Sequence, residues 1–240
     1  MDNASYVTLS RQNGLLKEMQ TVANNIANMS TTGFQRETTL FAEMVKRVPV
    51  EGGSLSMTEA RVRDTRFAQG AMMRTGAAFD VAIEGPGFFQ IQTANGLRLT
   101  RDGAFGRNEI GDLVTAEGNR VLDAGGAPVF LPPTAGKIEI SSDGTVTADG
   151  QPVAALGIVT VADEGSLRRE GGVMFIPQGG VEAAETFSVH QGFLEGSNVS
   201  PVTEITRMIE VQRAYEAGQS LLEREDERIR NVVRTLGQTR

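Results

Sequence analysis

Residues 201–237, PVTEITRMIEVQRAYEAGQSLLEREDERIRNVVRTLG, decide the architecture. Ile205, Met208, Gln212, Tyr215, Gln219, Leu222, Asp226, Ile229, Val233 and Leu236 alternate steps of three and four. That is a heptad seam on a long helix. Ser200-Pro201 supplies a start, with serine at the N-cap and proline at the first helical position. Glu204 falls in the first turn, where negative charge suits the helix dipole, and Gly237 is the expected stop. Gln212, Gln219 and Asp226 weaken the seam but fix register and partner, so the helix needs another beside it.

The N-terminal segment supplies one. Leu9, Gln12, Leu16, Met19, Ala23 and Ile26 repeat the three-and-four step, and Gly33 marks the exit. The pattern alone leaves two arrangements open. The termini pair as a coiled-coil stalk, or both are ordinary amphipathic helices on one core.

Glycine separates these ends from the middle. The chain has 28 glycines, of which 21 fall between 76 and 196, and glycine disfavours helix interiors by about 1 kcal/mol. Phe79 to Ile83 alternates, Gly85-Pro86-Gly87 turns, and Phe88-Phe89-Gln90-Ile91 continues extended. Asn95-Gly96 is a hairpin signal between Ile91 and Leu97/Leu99, and Asp102-Gly103, Gly125-Gly126, Asp143-Gly144, Asp149-Gly150 and Gly179-Gly180 mark further turns. The expected fold is α+β: long terminal helices around a central, mainly antiparallel β domain. Four regions follow: an N-terminal helix over 1–34, an extended or irregular connection over 35–78, a β-rich domain over 79–196 and a C-terminal helix over 198–240. Regions 1–34 and 198–240 together form the stalk beneath the β head.

Composition narrows the function. The 240 residues are 40% hydrophobic and 22% charged, and Leu, Ile, Val and Phe make up about a quarter, enough for a core. Cysteine is absent, which excludes disulfides, thiol catalysis and Cys-ligated metal, and His190 is the single histidine. Both ends are close to neutral; 35–77 carries +2 and 78–197 carries −9 of the total −7. That acidic middle disfavours a nucleic-acid partner. Arg61, Arg63, Arg66 and Arg74 form the one basic cluster, read as a solvated face. The longest apolar run, Val153 to Ala162, is half a membrane span, so no direct membrane insertion is expected. The start lacks the basic-then-apolar pattern of a cleavable signal peptide.

No residue stands in a catalytic frame. Gly85-Pro86-Gly87 has neither the lysine nor the helix of a phosphate loop. Asp143 and Asp149 lack the spacing of a calcium loop and read as hairpin turns. Paired carboxylates of the glycosidase kind stay open, because their geometry is invisible in a sequence. No catalytic residue, cofactor, metal or small-molecule substrate is therefore assigned.

Three groups of residues carry a resemblance. Ala23-Asn24-Asn25-Ile26-Ala27-Asn28 followed by Thr31-Thr32-Gly33-Phe34 is similar to the N-terminal signature of the flagellar rod and hook family. Ser197-Asn198-Val199 and Met208 to Glu216 resemble its C-terminal helix. Asp80 to Phe89 and Leu99 to Phe105 resemble its β-domain entry. Met29-Ser30 and Gly218 depart from the family pattern. The short length argues against a hook protein. The opening Tyr6 to Gln12 resembles the proximal-rod members, with the distal-rod members the nearest competitors.

The resemblance implies a structural subunit, not an enzyme: part of an axial tube in the periplasm-spanning basal body, exported through the flagellar type III apparatus. Its partners would be its own copies and other proximal and distal rod proteins, and its output torque transmission for motility. On this reading Leu9, Leu16, Met19 and Ile26 face Ile205, Met208, Leu222 and Ile229, within one subunit and against neighbours, with Gln212 and Tyr215 in the same seam. Asn24, Asn25, Asn28 and Asn198 supply paired donors and acceptors, either between subunits or as helix-end caps, beside Gly33 and Phe34. The acidic β heads would face outward. The rival class is a glycan-binding or hydrolytic β domain with helical flanks.

Overall fold

The computed structural model describes residues 2–47 and 54–238. In chain order, α1 (Asp2–Ala27) is followed by β1 (Glu37–Arg47), β2 (Ser54–Thr65), β3 (Met72–Arg74), β4 (Val81–Glu84), β5 (Phe88–Thr93) and β6 (Gly96–Thr100). Then come β7 (Phe105–Arg107), β8 (Leu113–Thr115), β9 (Arg120–Val121), β10 (Ile138–Ile140), β11 (Thr145–Ala148), β12 (Gln151–Ala155) and β13 (Ile158–Val161). The remainder is β14 (Leu167–Arg169), β15 (Met174–Pro177), β16 (Val181–Ala183), β17 (Ser188–Gln191), β18 (Phe193–Glu195) and α2 (Pro201–Gln238). The fold is α+β, and every strand pair described is antiparallel. Among the described residues no helix is long and apolar enough to cross a membrane.

Two compact units divide the chain. One holds α1, the β1–β2 ribbon and α2; the other holds residues 28–36 and 66–199. In the first, α1 and α2 run antiparallel, since Gln12 meets Tyr215, Glu18 meets Arg207 and Asn25 meets Glu204. Pro201 opens α2 as expected. The Ser200 carbonyl accepts the Glu204 N–H at 3.0 Å, while the Ser200 hydroxyl accepts from Thr203. α2 extends to Gln238, one residue past the expected stop at Gly237.

The stretch 35–78, expected as extended or irregular, holds the β1–β2 ribbon, paired from Glu37↔Thr65 to Arg47↔Ser54 with one bulge at Leu40/Phe41. The side chains of Arg61, Arg63 and Leu236 lie outside the described set, and Arg66 and Arg74 are exposed.

The second unit is built on a nine-stranded sheet. Phe88 and Phe89 are neighbours on β5 and so point to opposite faces, which lets one dipeptide feed two cores. Phe89 joins Ile83, Ile91, Leu113, Val121 and Leu131. Phe88 joins Leu99, Val159 and Phe175, with edge-on ring contacts among Phe67, Phe88 and Phe175 at 5.1–6.0 Å. Asn95-Gly96 sits at the β5–β6 hairpin. Asp149-Gly150 joins β11 to β12, with both residues at positive φ, the geometry a two-residue hairpin loop requires.

Candidate assembly interface

The helix pair of the first unit carries most of the residues selected from the sequence. On α2 the row turned inward is Glu204, Met208, Val211, Tyr215, Gly218 and Leu222, all buried or half-buried. The expected seam shares Met208, Tyr215 and Leu222 with it. At alternate positions, however, the seam is displaced by one residue: Ile205 and Gln212 are exposed, and Glu204 and Val211 are buried in their place. Two heptad phases share every second position, and a 3.6-residue turn does not choose between them. The choice follows the opposite face. Gln12 is buried and its amide nitrogen donates to the Tyr215 carbonyl at 2.9 Å. It passes so close to Gly218 that any side chain there would run into it. Gly218 leaves room for the end of the Gln12 side chain.

Charge pins the same pair. The Glu18 carboxylate is buried on α1 and accepts from Arg207 at 2.6 Å. Desolvation lowers the Arg207 pKa, but the hydrogen bonds from Glu18 and Glu210 outweigh it, so the group stays above its ordinary value. Near the start of α2, Asn25 is 1% exposed and accounts for three hydrogen bonds. Its oxygen accepts the Glu37 N–H at 2.9 Å, and its nitrogen donates to the Glu37 carbonyl at 2.8 Å and to Glu204 Oε2 at 3.1 Å. The amide therefore pairs with the first residue of β1 as a strand would. Asn24 reaches Glu37 Oε2 at 3.3 Å. Asn25 thus bonds to the backbone at the start of β1, and Asn24 to the Glu37 carboxylate. Asn28, in the second unit, accepts from the Thr31 hydroxyl at 3.2 Å.

The remaining helix positions separate by exposure. Met19 and Ile26 are half-buried. Leu9 (50%), Leu16 (42%), Ile205 (50%) and Ile229 (42%) are exposed aliphatics on helices whose other faces are occupied.

The second unit gathers the other signature residues into one buried polar cluster. Thr32 donates to Asp102 at 2.7 Å, and Gly33, at φ +66°, lies so close to the Asp102 backbone that only glycine fits. Burial pushes the Asp102 carboxyl up, against the hydrogen bonds from Thr32 and Ala104 that lower it. Phe34 is fully buried, with the Arg169 guanidinium 4.6 Å from its ring centre and 4.7 Å from that of Phe175. Asn198 accepts the Arg36 N–H at 2.6 Å, and its nitrogen lies 2.8 Å from Gln35 Oε1 and from the Arg66 and Ala68 carbonyls.

At the centre of this cluster is a pair of which the sequence motifs contain only Arg101. Arg101 Nε donates to Glu195 Oε2 at 2.8 Å, with both side chains buried. Arg101 also donates to the Gly85 and Gly87 carbonyls at 2.9 and 2.6 Å. Glu195 Oε1 accepts from the Gln35 amide at 3.1 Å and the Gly70 N–H at 3.0 Å. The two charges are 94 residues apart in sequence. The one available signal was that a charged residue among core-forming strands, as Arg101 and Glu195 are, is buried only with a partner. A small depression beside them is lined by Phe67, Gln69, Pro86, Phe88 and Arg101. Because Arg101 is already committed to Glu195 and two carbonyls, its charge is spent on the fold.

Comparison with known proteins bears on these two clusters. Residues 6–35 match the family described as flagella basal body rod protein, and 82–148 match the flagellar hook protein FlgE/F/G D1 domain. Residues 190–235 match the flagellar basal body rod FlgEFG protein C-terminal family. The flagellar basal-body rod protein FlgF of Caulobacter vibrioides is 41% identical, with 99% of each chain covered. That of Mesorhizobium japonicum is 36% identical, again over 99% of each. The rod protein FlgG of Bacillus subtilis is 31% identical over 95% of this chain and 97% of its own.

Proposed function

The chain belongs to the flagellar basal-body rod protein family and is a structural rod subunit, and we propose that it is a proximal-rod subunit that assembles axially through its terminal helices. In this reading α1 and α2 pair as an antiparallel coiled-coil stalk, with regions 1–34 and 198–240 polymerising, 35–78 connecting and 79–196 forming a separate β-rich domain. Other rod proteins and its own copies are its neighbours in the periplasm-spanning rod, and the flagellar type III apparatus delivers it. Torque passes through many simultaneous packed contacts, with no bond made or broken.

One observation carries the proposal. Leu9 and Leu16 on α1, and Val202, Ile205 and Ile209 on α2, are exposed by 42–75% on helices that already bury another face. Burying an aliphatic side chain is worth roughly 1.5–3 kcal/mol, so rows of them favour a neighbour. A contact between different faces of successive subunits does not close on itself and grows as a filament. Asn25 supports this indirectly, by holding the Glu37 backbone beside α1. The distal-rod reading is the less favoured, since the relatives named FlgF reach 35–41% identity and those named FlgG 28–34%.

Complementation tests the assignment. In a strain lacking the gene, the chain should restore motility and co-purify with basal bodies below the distal rod. Restored motility with the chain absent from purified basal bodies would refute it.

A further inference from the structure

The two ends of α2 carry matching rows on opposite faces. At about 100° per residue, Ile229 and Val233 prolong the face that Val211, Tyr215 and Leu222 turn toward α1, and Val232 flanks it. They are exposed by 42%, 48% and 64%, and every residue from Asp226 to Thr235 is exposed. Val202, Ile205 and Ile209, exposed by 75%, 50% and 46%, lie on the reverse face, roughly 150° round the helix. Val202 and Ile205 have the same spacing as Ile229 and Val232, and the two pairs are 27 residues apart.

We propose that the row Ile229/Val232/Val233 docks on the opening turns of the C-terminal helix of an axially adjacent subunit of this family, the occupant presenting aliphatic side chains as Val202, Ile205 and Ile209 do here. The inference rests on the rod assignment and specifies its contact. Continuity supports the choice of occupant: the tail row extends a face that already packs on a helix, so it takes another helix at the same 8–10 Å spacing. Phase supports it further. Because the rows face opposite ways, a subunit displaced sideways and along the axis, without rotation, sets its head row against the tail row below. Its α2 then continues the line of the first subunit's α1. Twenty-seven residues at 1.5 Å each set the stagger at about 40 Å. Every subunit offers both rows, so the contact repeats without closing.

The test is photocrosslinking in intact basal bodies. Val232→p-benzoylphenylalanine is expressed in the complemented strain, irradiated, and its adducts located by peptide mass spectrometry. The adduct should fall within one helical turn of Ile205, or of the matching position in a related rod subunit. An adduct on an N-terminal helix or a protein outside the family, or none in basal bodies that contain the variant, would overturn the stagger. Absence of the unsubstituted chain from basal bodies would instead overturn the rod assignment, so the two failures are distinct. Should the bulky residue exclude the variant, Val232→Cys with a short thiol-anchored crosslinker gives the same readout.

Discussion

Glu195→Ala should destabilise the chain by about 3–5 kcal/mol, the cost of leaving a buried charge without its partner. Truncation strands Arg101, and it also strands the Gln35 amide and the Gly70 N–H, which Glu195 Oε1 accepts. At about 2–4 °C per kcal/mol for a protein of this size, the thermal midpoint should fall by roughly 6–20 °C. Arg101→Met with Glu195→Met removes both charges and should recover only part of the loss. Buried pairs are often replaceable by apolar residues, but here Arg101 also satisfies the Gly85 and Gly87 carbonyls, which methionine cannot. Circular-dichroism melts of the three proteins check this. A single-variant change below about 1 kcal/mol would show that the cluster does not hold the unit together.

Leu9→Asp combined with Leu16→Asp should have the opposite profile: an intact fold and no motility. Both side chains are exposed, and substitutions at such positions usually change stability by no more than about 0.5 kcal/mol. In the assembled rod the two leucines would be buried. Losing two aliphatic burials at roughly 1.5–3 kcal/mol each weakens the contact by about 3–6 kcal/mol, two to four orders of magnitude in affinity. The melting curve and the swimming assay together separate folding from assembly. Normal motility would remove α1 from the interface.

The helices were legible because a three-and-four period survives in any environment, and Pro201 marks its start in one residue. The hairpins at Asn95-Gly96 and Asp149-Gly150 were legible because Gly96, Asp149 and Gly150 take the positive φ that such turns use. What stayed hidden was relational. The phase of α2 shows in contacts such as Gln12 against Gly218, two residues with no sequence proximity. Asn25 bonds to the backbone of Glu37 and the side chain of Glu204, partners that no spacing in the sequence announces. The Arg101–Glu195 pair joins a residue of one motif to a residue outside all of them, 94 positions away. Motifs reveal that residue types are fixed, whereas the contact that fixes them appears only once the chain is folded.

The chain has no native cysteine, so a single Leu16→Cys variant reports on one position without background. The rate of thiol modification at that position, in the free subunit and in intact basal bodies, is the most direct measurement of whether the terminal helices form the contacts of the rod. Modification should be fast in the free subunit, where the site is exposed, and slower by at least an order of magnitude once assembled. Equal rates in both states would contradict assembly through α1.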